Sequence, residues 1–130
     1  MKVAGVMQKN IVTVSPNLPL GDLEDVLTSD EISGVPVFND NTGKVVGVVT
    51  KSDLVRFWSE TYGDEFRERL GEGTRVEDIM TPQLVTASPG DDVRDVAKLM
   101  LDNHVHRVVV MHGDEMQGIV TSLDLLRALI

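Results

Sequence analysis

An internal repeat is the feature of this 130-residue sequence that most restricts its fold. At an offset of 73, residues 3–7 align with residues 76–80. After a two-residue gap near Thr42 the offset becomes 71, and residues 47–54 align with residues 118–125. Fifteen of 52 paired positions are identical, about 29%, and many of the others pair one apolar residue with another. The chain therefore contains two copies of one unit of about 55 residues.

The repeats predict the domain organisation. We expect repeat 1 in residues 1–60, a helical connector in residues 61–75 and repeat 2 in residues 76–130. A unit of this size buries little apolar surface alone and is marginally stable. The two copies are therefore expected to pack into one domain with pseudo-twofold symmetry.

Hydrophobic periodicity predicts the same elements in both copies. In repeat 1, a short strand at residues 11–14 ends at a Ser-Pro pair, and residues 20–27 carry apolar side chains at helical spacing. Apolar runs at residues 35–38 and 45–49 flank a turn and predict a hairpin, after which a helix starts at Thr50. The aligned positions of repeat 2 predict the same order. Each copy is thus a β-α-β-β-α unit, and the fold class is α+β with small mixed sheets flanked by helices.

Large apolar residues recur every four positions around the connector. The pattern predicts either a helix that covers its own core or a surface that contacts a second copy or another protein, and both can hold. The residues are Leu54, Trp58, Tyr62, Phe66 and Leu70.

Composition excludes several classes of protein. The absence of cysteine excludes a disulfide scaffold, a thiol nucleophile and a thiolate metal site. The net charge of −9 argues against binding to duplex nucleic acid, which requires clustered cations. No apolar run approaches the roughly 18 residues that cross a membrane, and the N-terminus lacks the apolar stretch of a signal peptide. We expect a soluble, cytoplasmic protein.

Catalytic and metal-binding patterns are weak in this sequence. Its Ser, His and Asp residues form no recognisable nucleophile motif, and there is no Gly-rich phosphate loop. His104, His106 and His112 lie near one strand, but no second cluster completes a metal site. The sequence therefore predicts a protein that is not an enzyme, with no metal and no required cofactor.

A Gly-x-x-Thr-x-x-Asp motif occurs once in each copy, with Thr50 and Asp53 in the first and Thr121 and Asp124 in the second. Thr-x-x-Asp at a helix start is close to a capping box, which would only stabilise the helix. A helix N-terminus is also an anion site, and the carboxylate could accept the hydroxyls of a ribose. The glycine would allow another group to approach closely. Both interpretations stay open at this stage.

The residues before the hairpin of each copy form a second candidate element. In repeat 1, small or backbone-exposing residues could flank a flat base: Ile32, Ser33 and Gly34. Their counterparts are Val105, His106 and Arg107, of which Arg107 carries a guanidinium suited to phosphate. The alternative is that His106 and Arg107 are an ordinary surface pair on a strand edge.

The order and duplication of these motifs resemble a tandem pair of CBS (cystathionine β-synthase type) domains, a Bateman module. The resemblance covers nearly the whole chain. It implies binding of an adenosine-containing ligand, such as AMP, ADP, ATP or S-adenosylmethionine, in two clefts between the repeats. It also implies that the module regulates an attached or separate protein. One departure is Val109, which stands where repeat 1 has Pro36. A second is the Gln8-Lys9 pair in place of Thr81-Pro82, and both bear on whether two clefts are occupied.

The resemblance also assigns residues to the two clefts. One cleft would use Val6, Met7, Lys9, Ile32, Ser33, Gly34, His106, Arg107, Thr121 and Asp124. The other would use Met80, Pro82, Val105, His106, Arg107, Thr50 and Asp53.

Charge guides the choice of ligand and partner. Repulsion from a chain at −9 favours few phosphates over many, so AMP ranks ahead of ADP, ATP or S-adenosylmethionine. Because this chain carries no catalytic or transporter domain, its output is expected to be a separate protein partner or a homodimer. The alternative function is a ligand-free interaction scaffold in which both Thr-x-x-Asp motifs act only as helix caps.

Overall fold

The chain folds into two compact units. The Asp53 unit comprises residues 12–83, and the Asp124 unit comprises residues 1–11 together with residues 84–130. The structure is a computed structural model, and it describes residues 1–29, 34–61, 63–64, 67–68 and 73–129. Among these residues, no helix combines the length and the apolar character that a membrane span requires.

The Asp53 unit is built on an antiparallel hairpin. Strands β1 (Gly34–Asn39) and β2 (Lys44–Thr50) pair in register, with an irregularity between Val37 and Phe38. Three helices in the described part of this unit are α1 (Leu20–Ser29), α2 (Lys51–Glu60) and α3 (Val76–Ile79).

The Asp124 unit repeats this plan with a small mixed sheet. Strand β3 (Thr86–Ala87) runs parallel to β4 (Arg107–His112), and β4 pairs antiparallel with β5 (Glu115–Thr121). Helix α4 (Val93–Asp102) precedes the hairpin and α5 (Ser122–Leu129) follows it. The α+β class with small sheets and flanking helices is therefore confirmed.

The first strand of each repeat is shorter than its sequence predicts. In the Asp53 unit only Val14 pairs, in a single parallel bridge to Val37. In the Asp124 unit the aligned strand has two residues, and Val109 donates its N–H to Val85 O at 3.2 Å. The position aligned with Val109 is Pro36, which has no N–H to donate, so the ladder in the Asp53 unit is one bond shorter.

Part of the connector pattern lies outside the described residues, namely Tyr62, Phe66 and Leu70. Of the described members, Leu54 lines a surface hollow of α1 and α2, and Trp58 is 60% exposed. Gly63 has a φ of +52°, a conformation that favours glycine. Helix α2 ends three residues earlier, at Glu60.

Each unit has its own apolar core, formed where the helices cover the hairpin. The buried residues that form the core cluster of the Asp53 unit are Val14, Leu20, Leu23, Leu27, Val35, Val37, Val49, Phe57 and Val76. Those of the Asp124 unit are Val3, Ala87, Val96, Met100, Val108, Val110, Val120 and Leu125.

The opening segment of each repeat packs in the unit that holds the other repeat's hairpin. Val3 is fully buried in the Asp124 unit, and its N–H donates to Asp91 O at 2.8 Å. Its aligned residue Val76 is fully buried in the Asp53 unit, and its N–H donates to Leu18 O at 2.9 Å. The two repeats thus exchange their first segments.

Backbone pairs fix both exchanged segments on the hairpins. Gln8 and Ile119 exchange N–H to O bonds of 2.8 and 3.0 Å, and the aligned pair Thr81 and Val48 exchanges bonds of 2.9 and 3.0 Å. A glycine lies beside each pair. A Cβ on Gly118 would lie 2.7 Å from Gln8 O, and one on Gly47 would lie 2.7 Å from Thr81 O. The motif glycines therefore allow the close approach of a backbone segment.

We predict that Gly118→Ala destabilises the protein by about 1–3 kcal/mol, because the added methyl group would overlap Gln8 O and Met7 Sδ. Urea unfolding monitored by circular dichroism measures the loss. Gly90→Ala is the matched control, since no atom lies within 4 Å of its Cβ position, and it should change stability by less than about 0.5 kcal/mol. Equal unfolding midpoints for the two variants would contradict the close approach.

Candidate functional site

The first candidate site is the start of α2, where Thr50 and Asp53 form a complete capping box. Asp53 Oδ2 accepts from Thr50 N at 2.8 Å and from Thr50 Oγ1 at 3.1 Å. In return, Asp53 N donates to Thr50 Oγ1 at 3.2 Å. These bonds satisfy backbone donors that the first turn of a helix otherwise leaves unpaired.

The second candidate site, at the start of α5, has the same geometry. Asp124 Oδ2 accepts from Thr121 N at 2.9 Å and from Thr121 Oγ1 at 3.0 Å, while Asp124 N donates to Thr121 Oγ1 at 3.2 Å. The capping interpretation of the motif is therefore correct as a description of the bonds. It accounts for one carboxylate oxygen of each aspartate.

The other carboxylate oxygen has a different partner in each unit. Asp53 Oδ1 accepts from Arg56 Nη1 at 3.1 Å, and the arginine side chain is 61% exposed. Asp124 Oδ1 accepts from Gln8 Nε2 at 3.1 Å, and the same amide lies 3.3 Å from Oδ2. The two sites thus share a cap and differ in the side chain that donates to Oδ1.

Both aspartates are buried, with exposed fractions of 4% for Asp53 and 8% for Asp124. A buried carboxylate is stable only where donors satisfy it, and each aspartate has several. An ionised carboxylate offers about four acceptor positions. Each Oδ1 can therefore accept a further hydroxyl in addition to, or in exchange for, its present partner.

A hollow of about 300 Å³ lies beside Asp53. Its described lining residues are Asp53, Arg56, Phe57, Glu60, Thr74, Asp78 and Ile79. Its volume is at the lower end of the range for small-molecule pockets. These residues combine one guanidinium with three carboxylates, so the hollow suits a polar ligand with hydroxyl donors and little negative charge.

One of the two clefts that the family resemblance predicts includes Thr121 and Asp124. The Asp124 unit contains most of the residues assigned to that cleft. Met7 lies against Gly118, with its Sδ 2.8 Å from the position that a Cβ on that glycine would take, and Val6 packs on the unit's core. Arg107 is the strand partner of Thr121, while Lys9 is exposed.

Val105 and His106 have a different setting in the same unit. His106 O accepts from Ser122 N at 2.8 Å, which joins the segment before β4 to the start of α5. Both residues line an apolar hollow of about 510 Å³ between α4 and α5, with described lining residues that include neither Thr121 nor Asp124.

The Asp53 unit contains the remaining described residues. Gly34 is the strand partner of Thr50, and Met80 contacts Gly47, with its Sδ 3.0 Å from the position that a Cβ would take there. Pro82 is exposed. Ile32 and Ser33 lie outside the described residues. The assignment of residues from both copies to each cleft stays a prediction.

Two site residues were missed by sequence reasoning, Gln8 and Arg56. The repeat alignment could have indicated Gln8, because it pairs Gln8 with Thr81, directly after a methionine that is identical in both copies. Arg56 is identical in both copies and lies three residues after Asp53, a spacing that brings side chains together on a helix. Across the described residues, no group of three or more His, Cys, Asp or Glu side chains could hold a metal ion.

Comparison with known proteins identifies the class. The CBS domain family model matches residues 3–60 and 76–130. The chain therefore belongs to the CBS domain family, and it is a tandem CBS pair. Among curated relatives, it is 33% identical over 159 residues to the uncharacterized protein MJ1426 of Methanocaldococcus jannaschii, covering all of this chain and 92% of that protein. It spans only 42% of the M. jannaschii protein MJ1225 and 23% of that organism's inosine-5'-monophosphate dehydrogenase, at 24% and 30% identity.

Solved structures give the same fold. The CBS domain pair of protein MJ0100, in complex with 5'-methylthioadenosine and S-adenosyl-L-methionine, has a TM-score of 0.84 at 25% identity, with 99% of this chain and 95% of that chain covered. CBSX2 in complex with AMP has a TM-score of 0.83 at 27% identity, with 98% and 95% covered.

We predict that Thr50→Ala lowers the free energy of unfolding by about 1 kcal/mol, because the alanine cannot accept from Asp53 N or donate to its carboxylate. Chemical denaturation without ligand measures the change. Thr50→Ser should retain most of the cap. Ser52→Ala, at an exposed position of the same helical turn, is the control, and a loss at Ser52 as large as that at Thr50 would argue against the cap.

Proposed function

We propose that this CBS pair is a regulatory module that binds an adenosine nucleotide, with AMP as the favoured ligand. In each unit, the Oδ1 atom of the motif aspartate would accept the ribose hydroxyls, and the threonine at the helix start would contact ribose or phosphate. The single observation that carries the proposal is the pair of buried aspartates, each held by its cap at one oxygen and turned toward an exchangeable donor at the other.

The two solved CBS structures support the choice of an adenosine ligand, since one is a complex with AMP and the other with 5'-methylthioadenosine and S-adenosyl-L-methionine. All three ligands contain a ribose with vicinal hydroxyls. A carboxylate that accepts both hydroxyls would recognise this shared group. AMP, ADP, ATP and S-adenosylmethionine are therefore all candidates at the ribose subsite.

The charge and volume of the hollow beside Asp53 favour a single phosphate. Among its described lining residues the one cation, Arg56, faces Asp53, Glu60 and Asp78, and the net charge of −9 adds long-range repulsion. A triphosphate would need a divalent cation to offset this repulsion. We therefore rank AMP ahead of ADP and ATP.

Regulation would follow from a difference in ligand affinity between two conformations of the module. The module would regulate a separate protein partner in the cytoplasm, or its own association with a second copy of this chain. A role as regulator rather than enzyme fits the relatives that are longer proteins, such as the inosine-5'-monophosphate dehydrogenase of M. jannaschii, of which this chain matches only 23%.

We also propose a homodimer formed through the exposed apolar helix faces. On α2, Val55 and Trp58 are 59% and 60% exposed. At the aligned positions of α5, Leu126 and Leu129 are 58% and 79% exposed. The same two helical positions are thus apolar and uncovered in both units, and large exposed apolar residues that recur in this way are typical of interfaces.

We predict that AMP at tenfold its dissociation constant or more raises the melting temperature of the full chain, because a ligand that binds only the folded state stabilises it. Asp53→Asn and Asp124→Asn should each weaken one site by about tenfold or more, because a ribose-binding carboxylate becomes an amide with one acceptor oxygen. A thermal scan by circular dichroism measures the melting temperature, and isothermal titration calorimetry measures the affinities.

Asp95→Asn is the matched control for this test, since it removes the same charge from an exposed position in the first turn of α4. It should leave AMP affinity unchanged. If AMP at millimolar concentration gives neither heat nor a rise in melting temperature, the ligand-free scaffold becomes the better explanation. If each aspartate variant loses as much stability in the presence of AMP as in its absence, the carboxylates act only as helix caps.

We predict that Trp58→Glu and Leu129→Glu shift the chain toward monomer, since each introduces a charge into the proposed apolar interface. Sedimentation velocity measures the change in mass. Asn41→Glu adds the same charge in an exposed turn and should leave the dimer intact. A wild-type chain that sediments as a monomer at concentrations up to about 100 µM would contradict the proposed dimer.

A further inference from the structure

The Gln8 side chain occupies the carboxylate that a ligand of the Asp124 unit would need. Its amide lies 3.1 Å from Asp124 Oδ1 and 3.3 Å from Oδ2, so it meets both oxygens across 116 residues of sequence. The backbone of Gln8 is already fixed by its two bonds to Ile119. To make the contact, only the side chain must be ordered, because the backbone entropy has already been lost.

We propose that Gln8 is an internal competitor of the ligand at Asp124, so that the Asp53 site fills first and the Asp124 site fills at higher ligand concentration. This inference rests on the proposed function and deepens it. A ribose diol that donates to Asp124 must displace the Gln8 amide from Oδ1. Gln8 is therefore a specificity-determining residue that lowers affinity at one of two otherwise similar sites.

The Asp53 unit differs from the Asp124 unit at the position aligned with this competitor. Thr81 takes the place of Gln8, and its backbone pairs with Val48 as Gln8 pairs with Ile119. The threonine side chain ends closer to the backbone than the glutamine amide. In this unit the Asp53 Oδ1 partner is instead Arg56, which comes from the same helix.

Arg56 differs from Gln8 in what it does when a ligand arrives. An exposed ion pair three residues apart on a helix contributes little, and its guanidinium has further N–H donors. It can turn from Asp53 to a phosphate and stay within the occupied site. The Gln8 amide is neutral, so it gains less than a guanidinium from a phosphate, and its displacement breaks its bond to the Asp124 carboxylate. That loss counts against binding.

The expected size of the effect follows from the bond that is lost. Hydrogen bonds of this kind contribute about 0.5–1.5 kcal/mol, which corresponds to an affinity ratio of about 3–10. Two sites that differ by this factor would fill in sequence and spread the response over a wider range of ligand concentration than two equal sites would.

The test exchanges the residues at the two aligned positions in the full chain and uses AMP as the probe. Gln8→Thr installs the residue of the other repeat and should tighten the Asp124 site about 3–10-fold. Thr81→Gln installs the competitor in the Asp53 unit and should weaken that site. Each site is measured alone by calorimetry, the Asp124 site in an Asp53→Asn background and the Asp53 site in an Asp124→Asn background.

Gln8 and Thr81 are both exposed, so variants at these two positions are expected to fold. Gln8→Ala removes the amide without adding a hydroxyl and should tighten the Asp124 site to a similar extent. Unfolding midpoints in urea check each variant.

The outcomes separate the inference from the proposed function on which it rests. If AMP binds both sites but Gln8→Thr and Gln8→Ala leave the Asp124 site unchanged or weaker, Gln8 is no competitor and nucleotide binding still stands. If AMP binds in none of the chains, the proposed function fails and the inference fails with it. Tightening of the Asp124 site by both Gln8 variants supports the inference.

Discussion

The exchange of opening segments between the repeats is the interaction on which the rest of each unit depends. Val3 of repeat 1 is buried in the core around the hairpin of repeat 2, and Val76 of repeat 2 is buried in the core around the hairpin of repeat 1. The residues that follow each valine pair with the second strand of that hairpin. Gly47 and Gly118 make this pairing possible because a methyl group at either position would overlap a backbone oxygen. Because β2 and β5 end where α2 and α5 begin, this pairing places each opening segment near the capped aspartate of that helix.

The motif aspartates show why a structural role and a binding role need not exclude each other. One oxygen of Asp53 and of Asp124 completes a helix cap, which holds the carboxylate in a fixed orientation. The other oxygen meets a partner that can be exchanged. A site built in this way is ordered before ligand arrives, which reduces the cost of ordering it on binding. Under the proposed function, the partners Arg56 and Gln8 would give two similar carboxylates different ligand affinities.

Much of the fold was predictable because it depends on local patterns. Apolar spacing gave the helices and hairpins, and the Thr-x-x-Asp spacing gave the caps at Thr50 and Thr121. The shortened first strand was also encoded, in the missing N–H of Pro36, but its effect depends on which strand lies alongside. Contacts between residues that are distant in sequence were harder to predict. Nothing in the neighbourhood of Gln8 indicates that its amide reaches a carboxylate 116 residues away.

The segment exchange also imposes an order on folding during synthesis. Residues 12–83 are contiguous, so the Asp53 unit has all its parts once its last segment emerges from the ribosome. The Asp124 unit instead combines residues that precede and residues that follow the Asp53 unit in sequence, since Gln8 pairs with Ile119. At about 5–20 residues per second, its N-terminal segment waits several seconds for a partner strand. The apolar side chains of Val3 and Met7 lack their core partners for that time, so this segment needs protection from aggregation until the second hairpin has been made.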